Sequence, residues 1–152
     1  MIWPFRRKSK KRMARIVIDE PITSSTRVSV LKALKQIEDR EFPALILRID
    51  SPGGTVGDSQ EIYSAIKRLK EKGCKVVASF GNISASGGVY IGVAADKIVA
   101  NPGTITGSIG VIIRGNNLSE LLNKIGIKFE TIKSGIYKDI LSPDKPLSKE
   151  GR

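Results

Sequence analysis

Apolar positions along the chain follow two periods. Between residues 24 and 40, Val28, Leu31, Leu34 and Ile37 recur on one face at helical spacing, and Ser24 or Ser25 can cap the start. This predicts a helix running to about Arg40, broken by Phe42-Pro43. A second amphipathic stretch, about Asp58–Lys72, turns Ile62, Ala65, Ile66 and Leu69 inward and stops at Gly73. A third spans Leu118–Ile125. Between them lie short apolar runs, Arg15–Asp19, Ala44–Ile49, Lys75–Phe80, Lys97–Ala100, Ser108–Ile113 and Lys128–Lys133, which predict strands. Thr104–Gly107 reads as loop, and Ser148-Lys149-Glu150 as a helix start. Strand–helix units recurring about every 30 residues predict an α/β fold with a mainly parallel sheet. Continuous apolar strands suit a sheet covered on both faces. Three Gly-rich loops, residues 50–55, 81–88 and 101–108, then fall at carboxyl ends of strands, where sites gather in such sheets.

The densest of these junctions is Asn82-Ile83-Ser84-Ala85-Ser86-Gly87-Gly88-Val89-Tyr90. A β-branched run enters it and a small, apolar stretch leaves it. This predicts strand, tight turn and buried helix, with Ser86 at the first helical turn, where backbone N–H groups lack partners. An exposed hydroxyl beside free N–H donors is what acyl transfer needs. A serine N-cap followed by glycines, with no chemistry at all, fits the same residues.

Composition narrows the chemistry. The 152 residues contain no histidine and a single cysteine, Cys74. No Ser-His-Asp or Cys-His arrangement can form, no metal or cofactor is expected, and a base for Ser86 must be Lys, Asp, Glu or Tyr. Cys74 reads as an inert packed thiol, and the cysteine usage fits a reducing compartment. The net charge of +11 is uneven: Arg6, Arg7, Lys8, Lys10, Lys11 and Arg12 cluster behind Trp3-Pro4-Phe5, with no acid before Asp19. Residues 1–12 suit an anionic membrane surface, and equally a solubilising tail. No recognised nucleic-acid module follows, so no specific nucleic-acid partner is expected. The sequence has no run of apolar residues long enough for a transmembrane helix or a secretory signal. The expected location is cytoplasmic, with peripheral membrane contact through the arm.

Lysine is the best base available, once neutral. A free lysine titrates near ~10.4, so it must lose roughly 3 units, which an apolar pocket can supply. Many lysines qualify. Lys138 stands out because Ile136, Tyr137 and Ile140 surround it and Gly135 permits a turn, although a surface lysine beside Asp139 is the simpler alternative.

Four motifs occur in one order: Asp50-Ser51-Pro52-Gly53-Gly54, Ser84-Ala85-Ser86-Gly87-Gly88-Val89-Tyr90, Gly107-Ser108-Ile109-Gly110, and Ser134-Gly135-Ile136-Tyr137-Lys138-Asp139. Together, from about Arg15 to Glu150, they resemble the signal peptide peptidase A family, serine peptidases of the Clp/crotonase-like fold built from repeated ββα/βαβ units. The resemblance implies that Ser86 is the nucleophile and Lys138 its general base. It implies an oxyanion hole from the Gly54 and Gly87 amides, with Ser108 orienting the lysine. Extended peptides, such as cleaved signal peptides, would be the substrates, and neighbouring subunits of a homo-oligomeric ring would complete the clefts. Residues 1–13 are expected to be a disordered basic arm, and 14–152 a peptidase domain truncated at its C-terminus. Two alternatives stay open: a crotonase-type acyl-CoA enzyme, which shares the fold and an oxyanion hole and for which Asp50 and Asp58 are the nearest carboxylates, and an inactive truncated paralogue that binds peptide or membrane.

Overall fold

The computed structural model describes residues 12–148. Residues 1–11 of the basic arm and residues 149–150 of the expected helix start lie outside these residues. The chain divides into two compact units, Met1–Gly110 and Val111–Arg152.

The first unit alternates strand and helix: β1 (Ala14–Ile18), α1 (Ser24–Asp39), β2 (Ala44–Ser51), α2 (Val56–Glu71), β3 (Lys75–Ala85), α3 (Gly87–Gly92), β4 (Lys97–Val99) and β5 (Ile105–Gly107). Every strand pair is parallel, in the order β1-β2-β3-β4. β5 also pairs with β3. With β2 on one edge of β3, β4 and β5 share the other: β4 lies along Val77–Ser79 and β5 along Ile83–Ala85. The α/β class and mainly parallel sheet are as expected from the strand–helix alternation.

The core lies on one face of this sheet. Ile16 and Ile18, then Leu45, Leu47 and Ile49, then Val76, Ala78 and Phe80 are buried, and register places them on a common face. Val30, Leu34 and Ile37 of α1, Ile62, Ile66 and Leu69 of α2, and Ile91 of α3 close over it as one cluster. The expectation that both faces are covered fails within this unit. On the other face Val17 is exposed, while Ile46, Arg48 and Val77 are half-buried. Arg48 lays its stem there and donates to the Phe80 carbonyl at 2.9 Å and to Ser79 Oγ at 3.1 Å.

The helices follow their patterns with two differences. α1 is capped by Thr23 rather than Ser24 or Ser25, and the Thr23 N–H reaches Thr26 Oγ1 at 3.4 Å. Its inward face is Thr26, Val30, Leu34 and Ile37, which leaves Val28 exposed. The buried Thr26 takes that place because its hydroxyl donates to Glu20 and to the Pro21 carbonyl. α2 ends as expected at Gly73, with φ +94°. The Gly73 N–H bonds the Lys70 carbonyl at 2.8 Å and the Cys74 N–H the Leu69 carbonyl at 3.3 Å, the paired bonds of a Schellman stop.

Among its described residues the second unit contains one short helix, α4 (Ser119–Lys124). Leu118 N–H bonds the Pro143 carbonyl at 2.7 Å. Asp139 gathers Lys133, at 2.7 Å, and Lys145. None of the described residues from 111 to 148 is buried. The strands expected at Ser108–Ile113 and Lys128–Lys133 do not form among them. An apolar run supplies side chains for a strand, but the strand also needs a neighbouring edge to pair with.

Candidate active site

At the end of β3 the chain turns sharply into α3. Ser86 occupies the turn as N-cap residue with φ 51° and ψ −115°, a conformation that L-residues avoid. Such strain persists only where the surroundings hold it. Here the Ser86 N–H donates to the Gly107 carbonyl at 2.8 Å, and its carbonyl accepts the Tyr90 N–H at 3.0 Å. The hydroxyl makes no capping bond and the residue is half-buried. An inert serine cap would spend its oxygen on the first-turn amides, so this geometry argues against the capping alternative.

Gly53 packs against the turn. It has φ +100°, and a methyl group on it would sit 2.8 Å from both the Ala85 carbonyl oxygen and the Gly87 nitrogen. Only glycine combines that backbone angle with that closeness. Gly54 forms a parallel bridge to Ile22, made by the Gly53 carbonyl and the Thr55 N–H on either side of it. The Gly54 N–H takes no part in either bond of the bridge. Gly87 is the first residue of α3, so its N–H has no acceptor within the helix. A methyl group on Gly87 would lie 3.3 Å from the Gly54 nitrogen, so the two backbones are neighbours.

Ser108 follows β5, whose Gly107 pairs with Ala85. Ser108 thus comes directly after the residue whose carbonyl accepts the Ser86 N–H, and it too has a positive φ, 50°. Ser86, Gly54, Gly87 and Ser108 thus all belong to the first unit. Lys138 belongs to the second, in the turn after Ser134, where its N–H bonds the Gly135 carbonyl at 3.3 Å. The expected burial among Ile136 and Tyr137 is not found within that unit, where Lys138 and both neighbours are exposed. Within its unit Lys138 is a surface lysine beside Asp139, as in the simpler alternative, and it makes no ion pair with that carboxylate. That carboxylate is held by Lys133 and then Lys145, which bring its pKa down to about 2.

The carboxylates considered for acyl-CoA chemistry have other work. Asp50 Oδ1 accepts the Ile83 N–H at 3.0 Å. Asp58 pairs with Arg27 at 2.7 Å and accepts the Thr55 hydroxyl. Cys74 is buried, and desolvation raises its pKa, which disfavours the reactive thiolate. Sequence reasoning missed two contributors. Ser59, 2% exposed, sets its Oγ where a Gly87 side chain would stand, 2.5 Å from that methyl position. Ser84 Oγ is fully buried without a hydrogen-bond partner, against Gly88.

The family model for Peptidase family S49 matches residues 68–152, and that for Clp protease matches residues 7–104. The chain belongs to peptidase family S49, of the signal peptide peptidase A type. A candidate protease of Synechocystis sp. is 63% identical over 150 residues, 99% of this chain and 54% of that protein. A candidate signal peptide peptidase SppA of Enterococcus faecium is 44% identical over 124 residues, 80% of this chain and 36% of that protein. The chain therefore spans about half of the first relative and a third of the second. Among solved structures, a mutant of the 1510-N membrane-bound stomatin-specific protease, from Pyrococcus horikoshii, superposes with a TM-score of 0.63 at 25% identity, over 72% of this chain and 52% of that one. The fold is thus of the Clp type.

No helix among the described residues is long and apolar enough to cross a membrane. No group of three or more Cys, Asp or Glu among them is placed to hold a metal ion.

Proposed function

We propose that this S49 chain is a serine endopeptidase in which Ser86 attacks the peptide carbonyl and Lys138 takes its proton. The observation that carries the reading is Ser86 itself: a half-buried serine at positive φ on a strand–helix elbow, its hydroxyl uncommitted. The Gly54 and Gly87 amides, on adjoining backbones, are the donors for the oxyanion. Preorganised donors of this kind contribute about 2.7–4 kcal/mol each to the barrier reduction. Ser108, one register step beyond Gly107, orients the lysine amine.

The mechanism assigns each proton. Lys138, neutral, accepts the Ser86 hydroxyl proton as Oγ bonds the carbonyl carbon. It returns that proton to the leaving amine. Water then repeats the cycle on the acyl-enzyme. The reading requires Lys138 Nζ to reach Ser86 Oγ in the working enzyme. Peptides, among them cleaved signal peptides and membrane-associated polypeptides, are the substrates, laid in extended form beside the glycine loop. A homo-oligomeric ring is the working assembly, and residues 1–12 contact anionic membrane surface.

Fluorophosphonate labelling with peptide mapping tests the nucleophile. The probe should attach to Ser86 alone, and Ser86→Ala should lose both labelling and turnover of an unstructured peptide at unchanged thermal stability. Turnover retained in Ser86→Ala would sink the assignment.

A further inference from the structure

The ladder between β2 and β3 breaks register just before the elbow. Ile49 pairs with Phe80 and Ser51 with Ser84, so Gly81, Asn82 and Ile83 together stand opposite Asp50. The amides of such a bulge lose their ladder acceptors, and an unpaired buried amide costs about 1–3 kcal/mol. Asp50 replaces the missing acceptors. Its Oδ1 takes the Ile83 N–H at 3.0 Å. Bonds from the Ile83 and then the Asn82 backbone hold the carboxyl below the usual range, with a smaller contribution from Arg48. The fit is close: a methyl group on Gly81 would lie 2.3 Å from Asp50 Cγ.

The other side of the bulge is held as well. Thr104 donates its hydroxyl to the Gly81 carbonyl at 2.8 Å. Thr104 immediately precedes β5, which pairs with Ile83–Ala85 and whose Gly107 carbonyl accepts the Ser86 N–H. The bulge is therefore gripped from β2 by a carboxylate and from the β5 side by a hydroxyl. It lies three residues before Ser86, on the strand that delivers the serine to the elbow.

We propose that Asp50 and Thr104 are positioning residues for hydrolysis. They fix the β3 bulge, and through it the direction of Ser86 Oγ and of the Gly87 amide. The proposal rests on the assignment of Ser86 as nucleophile. Neither residue touches the reacting atoms. Their effect is geometric, and a misplacement of about 1 Å in an active site costs on the order of 100-fold.

The test compares the full chain with Asp50→Asn, Thr104→Val and Thr104→Ser. Three quantities are read: the rate of fluorophosphonate labelling at Ser86, kcat and KM on an unstructured peptide, and the folded fraction at the assay temperature. Asn keeps an acceptor oxygen but turns an N–H donor toward amides that are themselves donors. Asp50→Asn should lower kcat and the labelling rate about tenfold or more, with KM changed less than twofold. Thr104→Val should lower kcat several-fold, and Thr104→Ser, which keeps the hydroxyl, should restore it. Unchanged kcat in both Asp50→Asn and Thr104→Val overturns the proposal. So does a loss that merely follows the folded fraction. If Asp50→Asn does not fold, the Val and Ser variants of Thr104 decide alone. Labelling of the wild type at Ser86 with equal rates in every variant defeats this proposal only. Absence of labelling at Ser86 in the wild type, or turnover by Ser86→Ala, defeats the nucleophile assignment and this proposal with it.

Discussion

The two residues of the proposed dyad are held by different physics. Ser86 directly follows a strand whose Val76, Ala78 and Phe80 lie in a core shared with three helices. Its strained backbone is fixed by a neighbouring strand, a glycine loop and a bulge clamped on both sides. Lys138 stands in a unit where no described residue is buried and where a polar cluster, Asp139 with Lys133 and Lys145, orders the turn. Ile112, Ile113, Phe129, Ile132 and Ile136 are all more than half exposed there. Ser86 and the Gly54 and Gly87 amides, the proposed nucleophile and oxyanion donors, are thus held within the first unit. The lysine gains no comparable support within its own unit.

The largest effect that separates the regions is a pair of truncations, one in the core and one on an exposed side chain. Ile49 is 0% exposed and Ile132 104%. Ile49→Ala should cost about 2–5 kcal/mol in denaturant unfolding. Ile132→Ala should stay within about 0.5 kcal/mol. A cost for Ile132→Ala equal to that of Ile49→Ala would show that the second unit is packed as firmly as the first.

The same contrast explains what could be read from the chain. Helix positions, the Gly73 stop and the parallel sheet follow from local periodicity and were legible. β3 was not legible beyond Phe80, because the bulge that carries it to Ala85 depends on Asp50 and Thr104, partners far away in sequence. β5 looked like loop for the same reason, since it exists as a strand only where β3 is extended. A carboxylate directly after a buried strand needs donors, and that requirement was the available signal for Asp50. At Ser108–Ile113 and Lys128–Lys133 the apolar pattern showed capacity for strands but not an edge to pair with. The elbow serine and its glycines stood out by residue type and order. The closeness of Gly53 and Ser59 to Gly87 needed coordinates.

A smaller effect lies in the helix ends. α1, α2 and α4 all finish with the same paired bonds, and the left-handed position is Glu41, Gly73 and Gly126 respectively. Glu41 has φ 50° where the other two helices use glycine. Glu41→Gly should therefore stabilise the first unit by about 1 kcal/mol, read as a raised thermal midpoint. A lowered midpoint would mean that the Glu41 side chain contributes more than its backbone strain costs.

The smallest effect is a titration confined to the second unit. Asp139 has its pKa depressed to about 2 by Lys133 and Lys145, so its ion pairs stabilise the turn above the ordinary carboxylate range. That contribution is lost as pH falls toward 2. Amide protection around residues 135–142 should decline in that window, and Asp139→Asn should remove the decline. A decline that persists in Asp139→Asn would place its cause in another group.

The most direct test of the dyad joins its two halves: the rate of Ser86 fluorophosphonate labelling in the full assembly, wild type against Lys138→Arg. Arginine keeps the charge and much of the length but stays protonated and cannot accept the serine proton. The expected result is labelling confined to Ser86 in the wild type, and abolished with peptide turnover in Lys138→Arg at unchanged folded fraction. Labelling and turnover in Lys138→Arg at the wild-type rate would contradict the account, even with Ser86 proved essential.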